Sequence, residues 1–349
     1  MEIGVYTFAD VGMHPVTHEV IDPHKRLKNL IEEIELADEL GLDVFAVGEH
    51  HRPDYAISAP AVMLGAAAVK TKNIRLSSAV TVLSSEDPIR VFQQFATIDL
   101  LSDGRAEIMA GRGSFIESFP LFGYKLEDYD ELFAEKLEML LQLNEKEIFS
   151  WRGKHTPTIL NRGVYPRPYQ KKLPIWIGVG GTPESVVRAA EFGLPMALAI
   201  IGGQPARFAP YTQLYKDVYK KAGHDVSKLQ LSINSHAYIA DTSQQARDEF
   251  YPTYAEVMNR IGRERGWPPS SRKDFEASTG PQGALLVGSP QQVVEKILYE
   301  HELFGHTRFL AQMSLGAMPH QKNLQALELL GTKVMPEVKK HLKAKQTTH

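Results

Sequence analysis

Short apolar runs alternate with segments of helical period along the whole chain. Ile3–Phe8, Val44–Val47, Ile74–Thr81, Arg105–Ala110, Ile175–Val179, Met196–Ile200, Leu231–Ala240 and Thr307–Ala311 read as buried strands. After the first run, Leu27, Leu30, Ile31, Ile34 and Ala37 keep the i, i+3, i+4, i+7 spacing of one helix face, and Gly41 follows as a stop. Similar segments cover about 60–70, 88–101, 129–143, 183–193, 206–222, 243–262, 290–304 and 320–338. Eight strands, each followed by a helix, is the count of a (β/α)8 TIM barrel. A doubly wound open sheet suits the alternation too, but Phe8-Ala9-Asp10 stands where a GxGxxG turn would open its first βα unit. The expectation is α/β, one TIM-barrel domain over residues 1–349, with insertions.

Two stretches break the alternation. Glu147–Gln170 carries Trp151, Gly153, Pro157, Gly163, Pro166 and Pro168, and reads as an irregular insertion of hairpin type. Arg263–Gly283, with Trp267, Pro268, Pro269, Gly280 and Pro281, reads as a polar loop without periodicity and is the candidate active-site lid.

Composition narrows the function classes. A formal net charge of -3 over 349 residues gives no electrostatic case for nucleic acid or an anionic membrane. No apolar run approaches the roughly 18 residues of a membrane span. There is no cysteine, which excludes disulfides, thiolate metal sites and a cysteine nucleophile and fits a reducing, cytoplasmic setting. The N-terminus opens directly with a strand, without the pattern of a signal peptide.

Candidate chemistry sits at strand ends, which in a parallel barrel form the floor of the active site. The second strand ends in Gly48-Glu49-His50-His51. Adjacent histidines on a strand point to opposite faces, and neither an HExxH helix nor a further ligand cluster is present, so no metal site is expected. One imidazole doing acid or base work, oriented by Glu49 or by the other histidine, is the favoured reading. The fourth strand ends in Gly111-Arg112-Gly113, an arginine free to reach an anion bidentately. The fifth ends in Gly178-Val179-Gly180-Gly181-Thr182-Pro183-Glu184-Ser185, where glycines and a helix N-terminus form a phosphate cradle or an ordinary capped turn. The small residues of Ser78-Ala79-Val80-Thr81, ending the third strand, would let a flat ring lie against the backbone. His14, His18 and His24 fall in the first βα loop, within reach of a substrate. His236 reads as a core histidine or one pointing into the barrel. His224, His301, His341 and His349 read as solvated.

Several of these pieces, in one collinear order, resemble the bacterial luciferase-like family of flavin-dependent monooxygenases. They are Glu49-His50-His51, Val82-Leu83 through Asp87-Pro88-Ile89-Arg90, Leu101-Ser102-Asp103-Gly104-Arg105, Gly111-Arg112-Gly113, Pro174-Ile175-Trp176, Phe192-Gly193-Leu194-Pro195-Met196, Val287-Gly288-Ser289-Pro290-Gln291 and Val334-Met335-Pro336. The resemblance covers nearly the whole chain and is on the side of the luciferase alpha subunit and its single-subunit relatives. It implies a TIM barrel that takes reduced FMN from a separate NAD(P)H flavin reductase, adds O2, and oxidises an aldehyde or another small organic substrate through a flavin hydroperoxide. A deazaflavin hydride-transfer enzyme or a non-catalytic flavin-binding partner subunit is the alternative on the same fold. On this resemblance His50 matches the catalytic histidine and Glu49 its flavin-side neighbour. Arg112, Gly180, Gly181, Thr182 and Ser185 fall where the family holds the phosphate, and Ala79-Val80 where it has a non-proline cis peptide beneath the isoalloxazine. The family's reactive cysteine is replaced by Gly111 and its acidic phosphate-loop residue by Gly180; Ile200-Ile201 stands where luciferase has a tryptophan. Long-chain aldehyde and light emission therefore do not carry over. A homodimer is expected.

Overall fold

A computed structural model describes residues 1–346; His349 lies outside the described residues. Eight parallel strands close on themselves: β1 (Glu2–Thr7), β2 (Val44–Val47), β3 (Arg75–Ser78), β4 (Ala106–Gly111), β5 (Ile175–Val179), β6 (Met196–Ile200), β7 (Leu231–Ile239) and β8 (Arg308–Gln312). Each pairs with the next in order, and β8 returns to β1, so the barrel has no open edge. All eight coincide with the strands read from the sequence, and the open doubly wound sheet is excluded. Besides a short turn of helix at Ser118–Phe122, the helices outside are α1 (Pro23–Glu39), α2 (Pro60–Ala68), α3 (Pro88–Leu101), α4 (Tyr129–Glu145), α5 (Pro183–Glu191), α6 (Ala209–Lys221), α7 (Ser243–Arg265), α8 (Arg272–Ser278), α9 (Pro290–Phe304), α10 (His320–Leu329) and α11 (Met335–Gln346).

Alternation along the strands makes two cores. Outward residues such as Val5, Phe45 and Ile108 pack against helix residues such as Leu30, Ile34 and Phe95. Inward residues Tyr6, Val44, Ala46, Met109, Trp176, Ala197 and Leu310 fill the barrel. Its lower end is plugged by Arg308, which bonds Glu107 at 2.5 Å and Glu2 at 2.7 Å and lies 4.1 Å over the Trp176 ring. Arg308 and Glu107 are both buried, and removing either one would strand the other's charge, a loss of about 3–5 kcal/mol.

The first insertion is a hairpin: Ile148–Trp151 pairs antiparallel with Ile159–Gly163. The second differs from the polar loop expected. Helix α7 continues to Arg265, Gly266 ends it at φ +70°, and residues 272–278 form α8. The Ser271 hydroxyl accepts from the Asp274 N–H, a capping pattern hidden among the prolines. Three other expectations also shift. His14 is buried, and its Nδ1 accepts from the Thr17 N–H, so it closes a local turn. His224 bonds the Glu191 carbonyl and His301 the His306 carbonyl; neither is freely solvated.

Candidate active site

The tips of β2, β3, β4 and β5 are neighbours in the barrel and bring most of the predicted residues to one side of its mouth. At the β2 tip, Glu49 is buried and fully engaged. Its Oε1 bonds His51 Nε2 at 2.8 Å, its Oε2 accepts from the Val82 N–H at 2.8 Å, and its own N–H reaches the Val80 carbonyl at 3.1 Å. Glu49 therefore ties β2 to the chain leaving β3, and the imidazole it orients is that of His51.

His50 has a different environment. It is 8% exposed, and its ring centroid lies 4.3 Å from Phe8, 4.4 Å from Tyr55 and 5.4 Å from Phe115. No protein group bonds its Nδ1. Burial among these rings pushes its pKa down to about 3, and the nearby His51 and Arg52 push the same way. At neutral pH it is an uncharged imidazole that can give or accept one hydrogen bond without carrying charge.

The Ala79–Val80 peptide is cis, and this unit sits where three glycines leave room for it. A Cβ on Gly48 would lie 2.6 Å from the Ala79 carbonyl oxygen. A Cβ on Gly111 or Gly178 would lie 2.6 or 2.7 Å from a Val80 methyl. Because Gly111 and Gly178 carry no side chain, Val80 settles over the tips of β4 and β5 and the rim there is low.

On the far side of Val80 lies a cluster of anion-binding groups. Arg112 donates from Nη2 to Thr182 Oγ at 3.1 Å and from Nη1 to Asp130 at 2.5 Å; Thr182 bonds Ser185 Oγ at 2.8 Å. Thr182 is the N-cap residue of α5 and Pro183 its first residue, but the Thr182 hydroxyl makes no cap bond and faces Arg112 instead. Gly181 has φ +106°, and a Cβ on Gly180 would meet nothing within 4 Å, so backbone N–H groups are open to a ligand. The sequence reading missed Arg188. One turn beyond Ser185, it lies 5.3 Å over the Phe133 ring, and its buried Nη1 has no partner. Burial and the Arg112 charge hold its pKa below the usual arginine value. Two guanidiniums and an open helix start suit a phosphate.

The mouth beside His50 is nearly shut. A cavity of ≈ 10 Å³ remains between Glu49, His50, His51, Gly113, Phe115 and Ser118. Arg52 bonds Glu117 at 2.6 Å and Glu264 at 2.5 Å, and Arg265 reaches the Ser114 carbonyl at 3.2 Å, so the end of α7 is pinned across the loop after β4. Two grooves of ≈ 590 and ≈ 550 Å³ lie elsewhere, between α4 and the hairpin and between residues 203–207 and 277–283. Neither collects the strand-tip chemistry. Among the described residues the only cluster with metal-ligand spacing is Asp128, Glu131 and His155 at the first of these grooves. There the Lys154 ammonium already bonds Glu131 at 2.8 Å.

The alkanal monooxygenase alpha chain of Photobacterium leiognathi is 25% identical over 336 residues, covering 87% of this chain and 91% of its own. Three solved structures share the fold. A monooxygenase of Streptomyces bottropensis superposes with TM-score 0.82 at 22% identity, covering 97% of this chain and 99% of its own. The oxygenating component of a diketocamphane monooxygenase of Pseudomonas putida, in complex with FMN, gives 0.77 at 20% identity over 97% and 99%. A coenzyme F420-dependent reductase of Methanopyrus kandleri gives 0.73 at 19% identity over 97% and 99%. The sequence profile of the luciferase-like monooxygenases matches residues 1–307. The chain is an oxidoreductase and belongs to the luciferase-like monooxygenase family.

Proposed function

We propose that the protein is the oxygenase component of a two-component system, taking reduced FMN from a separate NAD(P)H flavin reductase and using O2 to oxidise a small organic substrate. The observation that carries this reading is the order of groups along adjacent strand tips: a buried neutral imidazole at β2, a low rim under the Ala79–Val80 unit at β3, and the Arg112 cluster at β4 and β5. Arg112, Thr182, Ser185 and the N–H groups of Gly180 and Gly181 would hold the phosphate, with Arg188 supplying a second positive charge. The Ala79–Val80 unit, seated low on Gly111 and Gly178, would receive the ring. Reduced FMN, when bound there, supplies the electrons that activate O2. The aromatic wall of Phe8, Tyr55 and Phe115 keeps water from the reacting centre, which matters because water and stray protons divert oxygen chemistry. His50 would offer a hydrogen bond at that centre, and Glu49 with His51 would fix the chain beside it.

Opening is required, because ≈ 10 Å³ admits no substrate. The C-terminal end of α7 with the segment to Gly283 would serve as the lid, released when Arg52 lets go of Glu264. A homodimer is supported by α2, which is apolar on every side: Val62 is 73% exposed and Val69, just after it, 66%. Leu100 and Leu101 at the end of α3, which packs against α2, extend the same kind of surface. The absence of cysteine is consistent with a cytoplasmic setting.

The test is an anaerobic titration with photoreduced FMN, then rapid mixing with oxygenated buffer while near-ultraviolet absorbance is recorded. Binding, with a transient that outlives that of free flavin and is lost in His50→Ala, is expected. Absence of reduced-FMN binding overturns the reading. Tight binding of a deazaflavin without O2 uptake would make the enzyme a hydride-transfer catalyst. Flavin binding without any turnover until an alpha-type subunit is added would make it a partner subunit.

A further inference from the structure

The opposite side of the barrel mouth holds a second polar pair. In the sheet register Gln312 of β8 stands beside both Tyr6 of β1 and His236 of β7. Tyr6 belongs to the core inside the barrel, as does Leu310, two residues before Gln312. His236 and Gln312 therefore also point inward, close to the C-terminal ends of their strands. They are 3% and 1% exposed. His236 Nδ1 and Gln312 Nε2 have no hydrogen-bond partner.

The Gln312 side chain beside the ring favours its protonated form, but burial outweighs it. With the ring proton on Nε2, the unpartnered Nδ1 is an acceptor next to the unpartnered amide nitrogen of Gln312. The ring is neutral at working pH, since burial pushes its pKa down to about 4. Nδ1 is thus a bare acceptor and Gln312 Nε2 a free donor, side by side. Buried polar atoms are costly to leave unbonded. A hydroxyl satisfies both at once, giving its proton to Nδ1 and accepting from Nε2; a carbonyl or ether satisfies only the amide. From Tyr6 the wall continues to Phe8 at 5.7 Å, and Phe8 lies 4.3 Å from His50. Tyr55 completes this aromatic lining, which favours a ring over an alkyl chain.

We infer that His236 and Gln312 form the recognition end of the substrate pocket and bind the hydroxyl of a phenolic substrate, whose ring lies against the Phe8 and Tyr55 rings toward His50. The inference rests on the reading of the β2–β5 tips as the flavin site, and it makes the two residues specificity determinants.

The experiment is equilibrium binding of 2-naphthol, 2-methoxynaphthalene and 1-decanol to the full-length protein without flavin, followed by calorimetry. The wild type is expected to bind 2-naphthol at least about tenfold more tightly than 2-methoxynaphthalene, the worth of one buried hydrogen bond, and more tightly than 1-decanol, which keeps the hydroxyl but lacks the ring. His236→Phe should remove the preference for naphthol over its ether while leaving 2-methoxynaphthalene unchanged, Gln312→Leu should weaken naphthol and ether alike, and His236→Gln, which keeps an acceptor, should restore part of the preference. Equal binding of naphthol and its ether would overturn the inference and leave the pair to an internal water. So would tight 2-naphthol binding that survives both substitutions, or decanol binding as tight as naphthol. The ligand comparison uses wild-type protein, so it decides even where a variant fails to fold. Naphthol selectivity in a protein that takes up no reduced FMN would keep this pocket and sink the flavin reading instead.

Discussion

The glycine at the end of β4 is the most exacting position in the site. Substituting Gly111 with alanine would place a Cβ 2.6 Å from Val80 Cγ2 and 2.9 Å from both Val80 Cβ and Cγ1. All three atoms of the isopropyl group are in the way, so no single rotamer change relieves the clash. Overpacking of this kind costs about 1–3 kcal/mol, offset by roughly 0.5–1 kcal/mol from the reduced freedom of the unfolded chain. A net loss of about 1–2 kcal/mol is expected for Gly111→Ala. Gly178→Ala meets only Val80 Cγ1, at 2.7 Å, with the next atom at 3.7 Å, and should cost about 1 kcal/mol or less. Val80→Ala removes both methyls. It should rescue Gly178→Ala completely but Gly111→Ala only in part, because the contact to Val80 Cβ at 2.9 Å remains. The Val80 carbonyl also holds the Glu49 N–H, so a displaced Val80 disturbs the β2 tip as well. Urea denaturation of the two single glycine variants, of Val80→Ala and of the two doubles gives the coupling energies; anaerobic reduced-FMN titration of the same set reads the site. Gly111→Ala with unchanged stability and binding, or strictly additive doubles, would refute the claim that these glycines exist to seat Val80.

Three further outcomes are expected. Arg112→Lys should weaken reduced FMN about tenfold or more while leaving reduced riboflavin nearly unchanged, and Asp130→Asn, which frees Nη1 from an exposed carboxylate, should strengthen FMN binding; equal effects on both flavins would move the phosphate elsewhere. His306 is fully buried with neither ring nitrogen bonded, and burial pushes its pKa from 6.5 down to about 3. The unfolded chain therefore takes up a proton below about pH 6.5 that the folded chain refuses until about pH 3, so its contribution is present above that window and lost as pH falls through it. His306→Gln should make acid destabilisation shallower by about 1.4 kcal/mol per pH unit between pH 6 and 4, and parallel stability curves for variant and parent would contradict this. Sedimentation should find twice the chain mass for the parent and a single chain for a variant with Val62 and Val69 both changed to glutamate; a monomeric parent ends the homodimer proposal.

What could be read from the sequence followed from period and spacing, and what could not depended on where side-chain atoms end up. The strands were legible because each is a short apolar run set between helical periods, and barrel closure needs no signal beyond eight such units. The Arg112, Thr182 and Ser185 cluster was legible because chain order places β4 beside β5, so loops far apart in sequence meet at one rim. The roles within Glu49-His50-His51 were not legible. Alternation says that the two imidazoles diverge, but which one meets Glu49 depends on the Val82 N–H drawing that carboxylate inward. Helix α8 was hidden because Pro268 and Pro269 dominate the local pattern, while its start is set by the short-range Ser271 and Asp274 pair. Arg188 lies on the first turns of α5, where an arginine ordinarily points to solvent. Only the fold shows that its neighbours there are Arg112 and the Phe133 ring, and that no carboxylate takes up its buried nitrogen. His236 was ambiguous for a related reason: one strand fixes the face a residue occupies but not what the neighbouring strands place beside it. The register sets Gln312 there, which turns a buried histidine into half of a donor and acceptor pair. In both cases the informative fact is a polar atom left unpaired, and an unpaired atom belongs to the assembled barrel, not to any local stretch of chain.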